Sequence, residues 1–370
     1  MEQQAVPDRT FFSSVCKKDL SIEIMRIMAC FFVIFNHTSQ NGFFLFSVRP
    51  IGSLQYWIDL FISVFCKFAV PLFFAISGAL LIPKEDSLKK TLWRIIRAII
   101  VLTLFSFLYY FVEVYNGNET FDFSRFLLKL YCSNWNGTYW YLYAYIPFLI
   151  TLPLLRSFAK GLDSKWFIYM FVIGFLFRRI LPVIEYLANE GKYHINDYFG
   201  NNLRWIYINI VEFPLLGYFL NCRIRSSDIT RKQLAIMWTT NVITIIISSY
   251  LTYYKQSKGQ GLDQAFHETF VVINVLSLFL TTKKVFGSKK INIIISKMIC
   301  CLGECTFGIY LLHVLILLKW NWTNELWTFF NNKLGINQMF TAFIVCFIVM
   351  LIGFIPIYIL KKLPILKKLL

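Results

Sequence analysis

About ten stretches of this 370-residue chain stay apolar for long enough to cross a bilayer, and nothing else in the sequence constrains the fold as tightly. They lie near residues 20–39, 57–82, 93–113, 139–156, 166–187, 204–220, 234–254, 266–282, 299–318 and 339–360, the sixth and eighth being short. In lipid a single segment has to satisfy its own backbone hydrogen bonds, so each run predicts a helix. The expected fold is therefore all-α: a polytopic transmembrane helical bundle of about ten helices. With 57% hydrophobic and 15% charged residues, the composition leaves no room for a sizeable soluble domain. The expected division is a polar tail over 1–19, a transmembrane domain over 20–362 and a basic tail over 363–370.

The net charge of +17 does not point to nucleic acid, because it is distributed as membrane topology distributes it. Twenty-four of the 37 basic residues fall in the tails and loops on one side, among them Lys84, Lys89, Lys90, Arg94, Arg97, Lys361 and Lys367. Nine fall on the other side, and Arg26, Lys67, Arg178 and Arg179 lie within runs. This asymmetry predicts both termini in the cytoplasm and an even number of helices in the cell membrane. No cleavable leader is expected, since residues 1–19 are polar and carry Arg9, Lys17 and Lys18. The nine cysteines include no CxxC pair, so neither a metal centre nor a disulfide framework is expected.

Charges buried in spans are costly and mark candidate sites. The first run, LSIEIMRIMACFFVIFNHTS, carries three ionisable groups. Arg26 and His37 are eleven residues apart, which places them about 20° apart around a helix and roughly 16 Å apart along it. Glu23, three residues before Arg26, shares that face. In the second run Pro71 predicts a kink, Ser77-Gly78 a close backbone approach, and Lys67 a partner such as Glu23, Asp59 or a bound anion. Lys90, Arg94 and Arg97 form one stripe at the start of the third run, either a topological anchor or a seat for an anionic ligand. The loop 114–138 is polar and leads to Trp140, Tyr141, Tyr143 and Tyr145, an interfacial belt or a platform for a sugar ring. Arg178 and Arg179 call for an interior partner, with Glu212 available, while His194 and His267 read as surface residues. In the ninth run Tyr310 and His313 share a face, Glu304 lies opposite, and His313 reaches a depth similar to that of His37. Two imidazoles on different helices then converge on one site.

These motifs together resemble the acyltransferase-3 family of integral membrane acyltransferases. IEIMRIMACFFVIFNHT matches its Arg, ten residues, His signature through Arg26 and His37. VPLFFAISGALL is similar to its second helix, Lys90–Arg94 to its basic pair, and YWYLYAYIPFLITLPLLR and FGIYLLHVLILL to its fourth and later helices. One position departs: many relatives have His two residues before the aromatic-helix Trp, where this chain has Thr138. The chain is also expected to lack the extracytoplasmic hydrolase-like domain of some relatives. The resemblance implies a ten-helix domain that takes an acyl group, usually acetyl from acetyl-CoA, and delivers it to an acceptor on or across the membrane, often an envelope sugar. Within it His37 is the candidate base or acyl carrier, with Arg26 and Glu23 completing the catalytic set. Lys90, Arg94, Arg97, Lys67 and Ser77 are expected to hold the acyl-CoA, and Trp140, Tyr143, Tyr310 and His313 the acceptor. No tightly bound cofactor is expected, acetyl-CoA or another acyl-CoA serving as co-substrate and a glycan or lipid-linked sugar as acceptor. The competing reading is an exporter or flippase that uses the same buried charges as a permeation path.

Overall fold

The computed structural model describes residues 19–190, 192–195, 209–261, 266–287, 291–319 and 322–369, and every regular element among them is helical. Residues 1–18 of the predicted tail over 1–19, residues 204–208 of the sixth run, Lys289 and Lys290 lie outside the described residues. Each of the ten apolar runs coincides with a helix or a helix pair. Helix α1 (Leu20–Asn36) starts where the Asp19 carboxylate accepts the Ser21 N–H at 2.9 Å, a side-chain N-cap. Helix α4 (Leu88–Tyr115) starts at Ser87 in the same way.

The second run forms two helices, α2 (Leu54–Cys66) and α3 (Ala69–Leu81). Pro71 is the cause: it has no N–H to give the Lys67 carbonyl, so the ladder breaks at Lys67-Phe68 and resumes with Leu72 N–H to Phe68 O at 2.9 Å. The loop after α4 is not wholly irregular. Asp122 caps a short amphipathic helix, α5 (Phe123–Cys132), whose Phe126 packs with Tyr110 and Trp135. Helix α6 (Trp140–Gly161) follows, then α7 (Ser164–Phe175), which passes through a π turn at Leu176–Ile180 into α8 (Leu181–Asn189). The remaining elements are α9 (Asn209–Cys222), α10 (Arg231–Ser257), α11 (Val271–Phe286), α12 (Ile293–Leu318), α13 (Trp322–Thr328), α14 (Gln338–Leu360) and the terminal α15 (Pro364–Leu369).

Among the described residues, seven helices or continuous helix pairs are long and apolar enough to cross a membrane. Helices α1, α9 and α11 are shorter, with 17, 14 and 16 residues. The outward faces of the long helices are apolar where a soluble protein would be polar: Ile96, Leu104 and Phe111 on α4, Ile243 and Ile246 on α10, Phe340 and Ile355 on α14. The protein is a multi-pass membrane protein.

The first helix sits at the centre, packed against α3, α11, α12 and α14. The tightest crossing is between α3 and α9, where each helix presents a glycine to the other's backbone. A Cβ at Gly78 would overlap Pro214 and one at Gly217 would overlap the Ala75 carbonyl, so no larger residue fits at either position. This crossing fixes the part of α3 that carries Ser77.

Candidate active site

Two cavities enter the bundle from opposite ends of α1. The first, of 650 Å³, opens at the rim where the predicted basic segments gather. Arg26, Lys84, Arg94, Arg97, Lys361 and Lys367 line it, drawn from α1, α4, α15, the loop before α4 and the turn after α14. Arg26 is paired with Glu23 at 2.9 Å, and the buried Glu23 carboxylate fits only because Gly303 on α12 has no side chain. Arg94 is held by Asp86, which also takes Lys90 at 2.8 Å and Arg156 at 2.7 Å. The Arg94 hydrogen bond, with those of Lys90 and Arg156, holds the Asp86 carboxyl well below the usual carboxylate range. Arg97 instead donates through Nε to the Leu369 carbonyl at 2.9 Å, which docks α15 against the rim. Lys361 donates to the Glu304 carbonyl at 2.7 Å. Lys84 sits in this field of like charge and is held below its ordinary value by burial and by Arg94.

The second cavity, of 390 Å³, holds His37, Lys67, Trp140, Thr138 and Tyr310. His37 caps α1, its N–H reaching Ile34 O at 3.0 Å, and the chain then leaves the helix axis through Ser39–Asn41. The His37 ring stacks on that of His313, centroids 5.2 Å apart and planes 21° apart. His313 is fully buried. Its Nδ1 lies on the Tyr310 carbonyl, which makes Nδ1 the protonated nitrogen and leaves Nε2 as an acceptor with no hydrogen-bond partner among the described residues. Tyr310 donates its hydroxyl to the Thr138 carbonyl at 2.5 Å, and Tyr139 donates to the Leu311 carbonyl at 2.9 Å. These reciprocal bonds lock the start of α6 to α12 beside the imidazoles.

At the far wall Lys67 meets Glu268 at 3.2 Å. The alternatives open to it in sequence are taken, since Glu23 holds Arg26 and Asp59 holds Arg49 at 2.9 Å. The π turn swings Arg179 inward, where it pairs with the buried Glu212 at 3.1 Å and donates to the Glu268 carbonyl at 3.1 Å. Arg179 and Glu268 also border a third cavity of 360 Å³ lined by Arg178, Tyr186 and Lys255, which extends the passage away from the basic rim.

The structure thus divides the predicted residues. Glu23, Arg26, Ser77, Arg94 and Arg97 gather at the rim cavity. His37, Tyr310, Trp140 and Lys67 line the inner one, and His313 is stacked behind His37 without bordering either cavity. Arg26 and His37 share a helix but border different cavities, and Lys67 lies with His37 rather than with the basic stripe. Lys90 is exposed and serves Asp86 outside the cavity wall. Tyr143 borders neither cavity and donates its hydroxyl to the Leu130 carbonyl at 2.7 Å. His194 is exposed beside Glu185. His267 corrects the sequence reading: it is buried, its ring 5.9 Å from Phe43 and 5.7 Å from Phe46, because the short turns after α1 fold over it. Sequence reasoning passed over Asp86, Glu268, Lys361 and Lys367. Only the two lysines carried a signal, as members of the basic set on one side.

The sequence profile of the acyltransferase-3 domain, described as an acyltransferase domain, matches residues 19–359. The chain belongs to the acyltransferase-3 family. Comparison with curated proteins and with solved structures gives no match. The matched span begins at the Asp19 cap of α1 and ends in α14, so it takes in the whole lining of the inner cavity and all of the rim cavity's except Lys361 and Lys367. As a member of this family the protein is a membrane acyltransferase.

Proposed function

We propose that this acyltransferase moves an acetyl group from acetyl-CoA, bound at the basic rim, to a hydroxyl of a cell-envelope glycan that reaches His37 from the opposite end. The observation that carries the reading is the pair of adjoining cavities, one rich in cations and the other built around stacked imidazoles. The phosphates of CoA suit the first, where Lys361 and Lys367 join Arg94 and Arg97 of the stripe expected from sequence. The aromatic Trp140 and the hydrogen-bonding Thr138 in the second suit a sugar. The basic rim is the cytoplasmic face by the positive-inside rule, and the membrane is the plasma membrane.

Acyl transfer from a thioester to a hydroxyl requires a base for the hydroxyl proton, attack of the oxygen on the carbonyl carbon, and departure of the thiolate. His37 takes the proton and returns it to the departing sulfur. His313, fixed as the Nδ1–H tautomer by the Tyr310 carbonyl, holds the His37 ring by stacking. Arg26, oriented by Glu23, stays at the donor side and acts on the thioester's nucleotide half. Closing the thioester inside the bundle also keeps water from the acyl group.

The test is purified protein given acetyl-labelled acetyl-CoA together with envelope material from the producing cell. Free CoA and labelled glycan are expected, with both lost in His37→Ala while the protein stays folded. An exporter or flippase would leave the thioester intact.

A further inference from the structure

The rim cavity and the inner cavity share two lining residues, Tyr141 and Tyr310. Both are buried, and their rings meet edge to face with centroids 5.6 Å apart and planes at 77°. At that separation the rings are in contact, so they form a partition between the cation-rich chamber and the imidazole chamber. On the proposed reaction, an acyl group that arrives with the donor has to pass this partition to reach His37.

The two rings are not equally free to give way. Tyr310 is clamped, its hydroxyl on the Thr138 backbone carbonyl at 2.5 Å and its ring over His313 at 5.6 Å. The neighbouring Tyr139 hydroxyl closes a second bond across the same interface at 2.9 Å. Moving Tyr310 would break the joint between α6 and α12 and disturb the imidazole stack with it. Tyr141 sits in a softer setting, packed against Phe74 at 4.8 Å, Phe73 at 6.1 Å and Tyr145 at 5.8 Å. Its hydroxyl is not tied to a backbone carbonyl as that of Tyr310 is, and Ser77 lies beside it in the wall of the rim cavity. The Tyr141 ring is therefore the one that turns aside, and Tyr310 is the fixed post it turns against.

We infer that Tyr141 sets which acyl groups are transferred, by limiting the width of the opening between the donor chamber and His37. This rests on the donor and acceptor sides proposed above, and it adds a specificity role to a residue outside the reacting set. Walls of packed aromatic rings tolerate little extra volume, and the cost of each added methylene rises because the surrounding helices cannot relax freely. A short acyl group passes with a small rotation of the Tyr141 ring, and a longer one meets Tyr310.

The experiment uses purified full-length protein in proteoliposomes with acetyl-, propionyl- and butyryl-CoA, envelope material from the producing cell as acceptor, and release of free CoA as the readout. Discrimination by one methylene in a tight pocket is of order 10–200-fold, so wild type is expected to favour acetyl over propionyl by about tenfold or more and acetyl over butyryl, two methylenes longer, by about a hundredfold or more. Tyr141→Ala and the milder Tyr141→Leu should lower that ratio by about tenfold, through faster butyryl transfer relative to acetyl. Tyr141→Phe keeps the ring and should keep the ratio. A structural defect would slow all three donors together and leave the ratio where it was. An unchanged ratio in both Ala and Leu variants overturns the inference, as does a Phe variant that relaxes the ratio as far as Ala does. If wild type releases no CoA from any donor, the proposed acyl transfer itself fails, and that outcome is separate from either of these.

Discussion

Arg94 and Arg97 lie one turn apart on the same helix and line the same cavity, yet the structure predicts different consequences for their loss. Arg94 is already engaged by the Asp86 carboxylate, which Lys90 and Arg156 would continue to hold without it. Arg97 has a neutral carbonyl, that of Leu369, as its hydrogen-bond acceptor. A guanidinium on a neutral carbonyl exchanges it for a phosphate at small cost, whereas one on a carboxylate gives up a charged partner. A hydrogen bond to a charged group contributes about 1.5–3 kcal/mol. Arg97→Ala should therefore raise the KM for acetyl-CoA by about 10- to 150-fold, with kcat falling much less. For Arg94→Ala the rise should stay below about fivefold, because most of its charge is spent on Asp86. Initial rates of CoA release against donor concentration, at low and at high salt, measure both. The gap between the variants should narrow with salt, since screening at molar ionic strength acts within about 3 Å. An Arg94→Ala effect equal to or larger than that of Arg97→Ala would refute this reasoning, as would an Arg97→Ala enzyme with unchanged donor KM.

Two further outcomes concern how the site is held. Asp86→Asn should lower the thermal midpoint in detergent, because Arg94 and Arg156 lose their charged partner while remaining mostly covered. Asp86 is depressed below its unfolded value of 3.8, so its contribution is present above that pH and is lost only as pH falls through the lower folded value. Wild-type melting should accordingly show no Asp86-linked loss between pH 8 and pH 5, measurable as the difference between wild type and Asp86→Asn staying constant over that range. Gly217→Ala would push a methyl group into the Ala75 carbonyl, and overpacking of this kind costs about 1–3 kcal/mol. A lower thermal midpoint and reduced yield are expected, whereas Gly117→Ala, at an open turn with positive φ, should cost less.

Much of the architecture was legible because lipid permits so few backbone solutions. Each apolar run became a helix, and Pro71 announced the break that separates α2 from α3. The alignment of Arg26 with His37 was readable as a stripe, but not that it runs past a partition, since Tyr141 and Tyr310 come from other helices. The Lys67–Glu268 pair joins residues two hundred positions apart, and nothing local distinguishes Glu268 from the acids Lys67 does not meet. The π turn at Leu176–Ile180 was invisible for a similar reason. The inward turn of Arg179 depends on Glu212 and the Glu268 carbonyl being present on the other side. Helix α5 was hidden by the Asn- and Gly-rich segments around it, although Phe123, Phe126, Leu127 and Leu130 repeat at helical spacing. His267 was misread because the residues that bury it, Phe43 and Phe46, belong to a connection that looked like an ordinary loop.

The central claim is that donor and acceptor meet inside the bundle after entering from opposite faces. It is tested most directly in sealed proteoliposomes of one orientation, with envelope acceptor trapped in the lumen and labelled acetyl-CoA added only to the side that carries Lys84, Arg97 and Lys361. The account predicts label on the lumenal acceptor and free CoA outside, with neither when the vesicles carry His37→Ala. Label that appears only when donor and acceptor share the basic side would contradict it, and would require a separate protein to carry the product across.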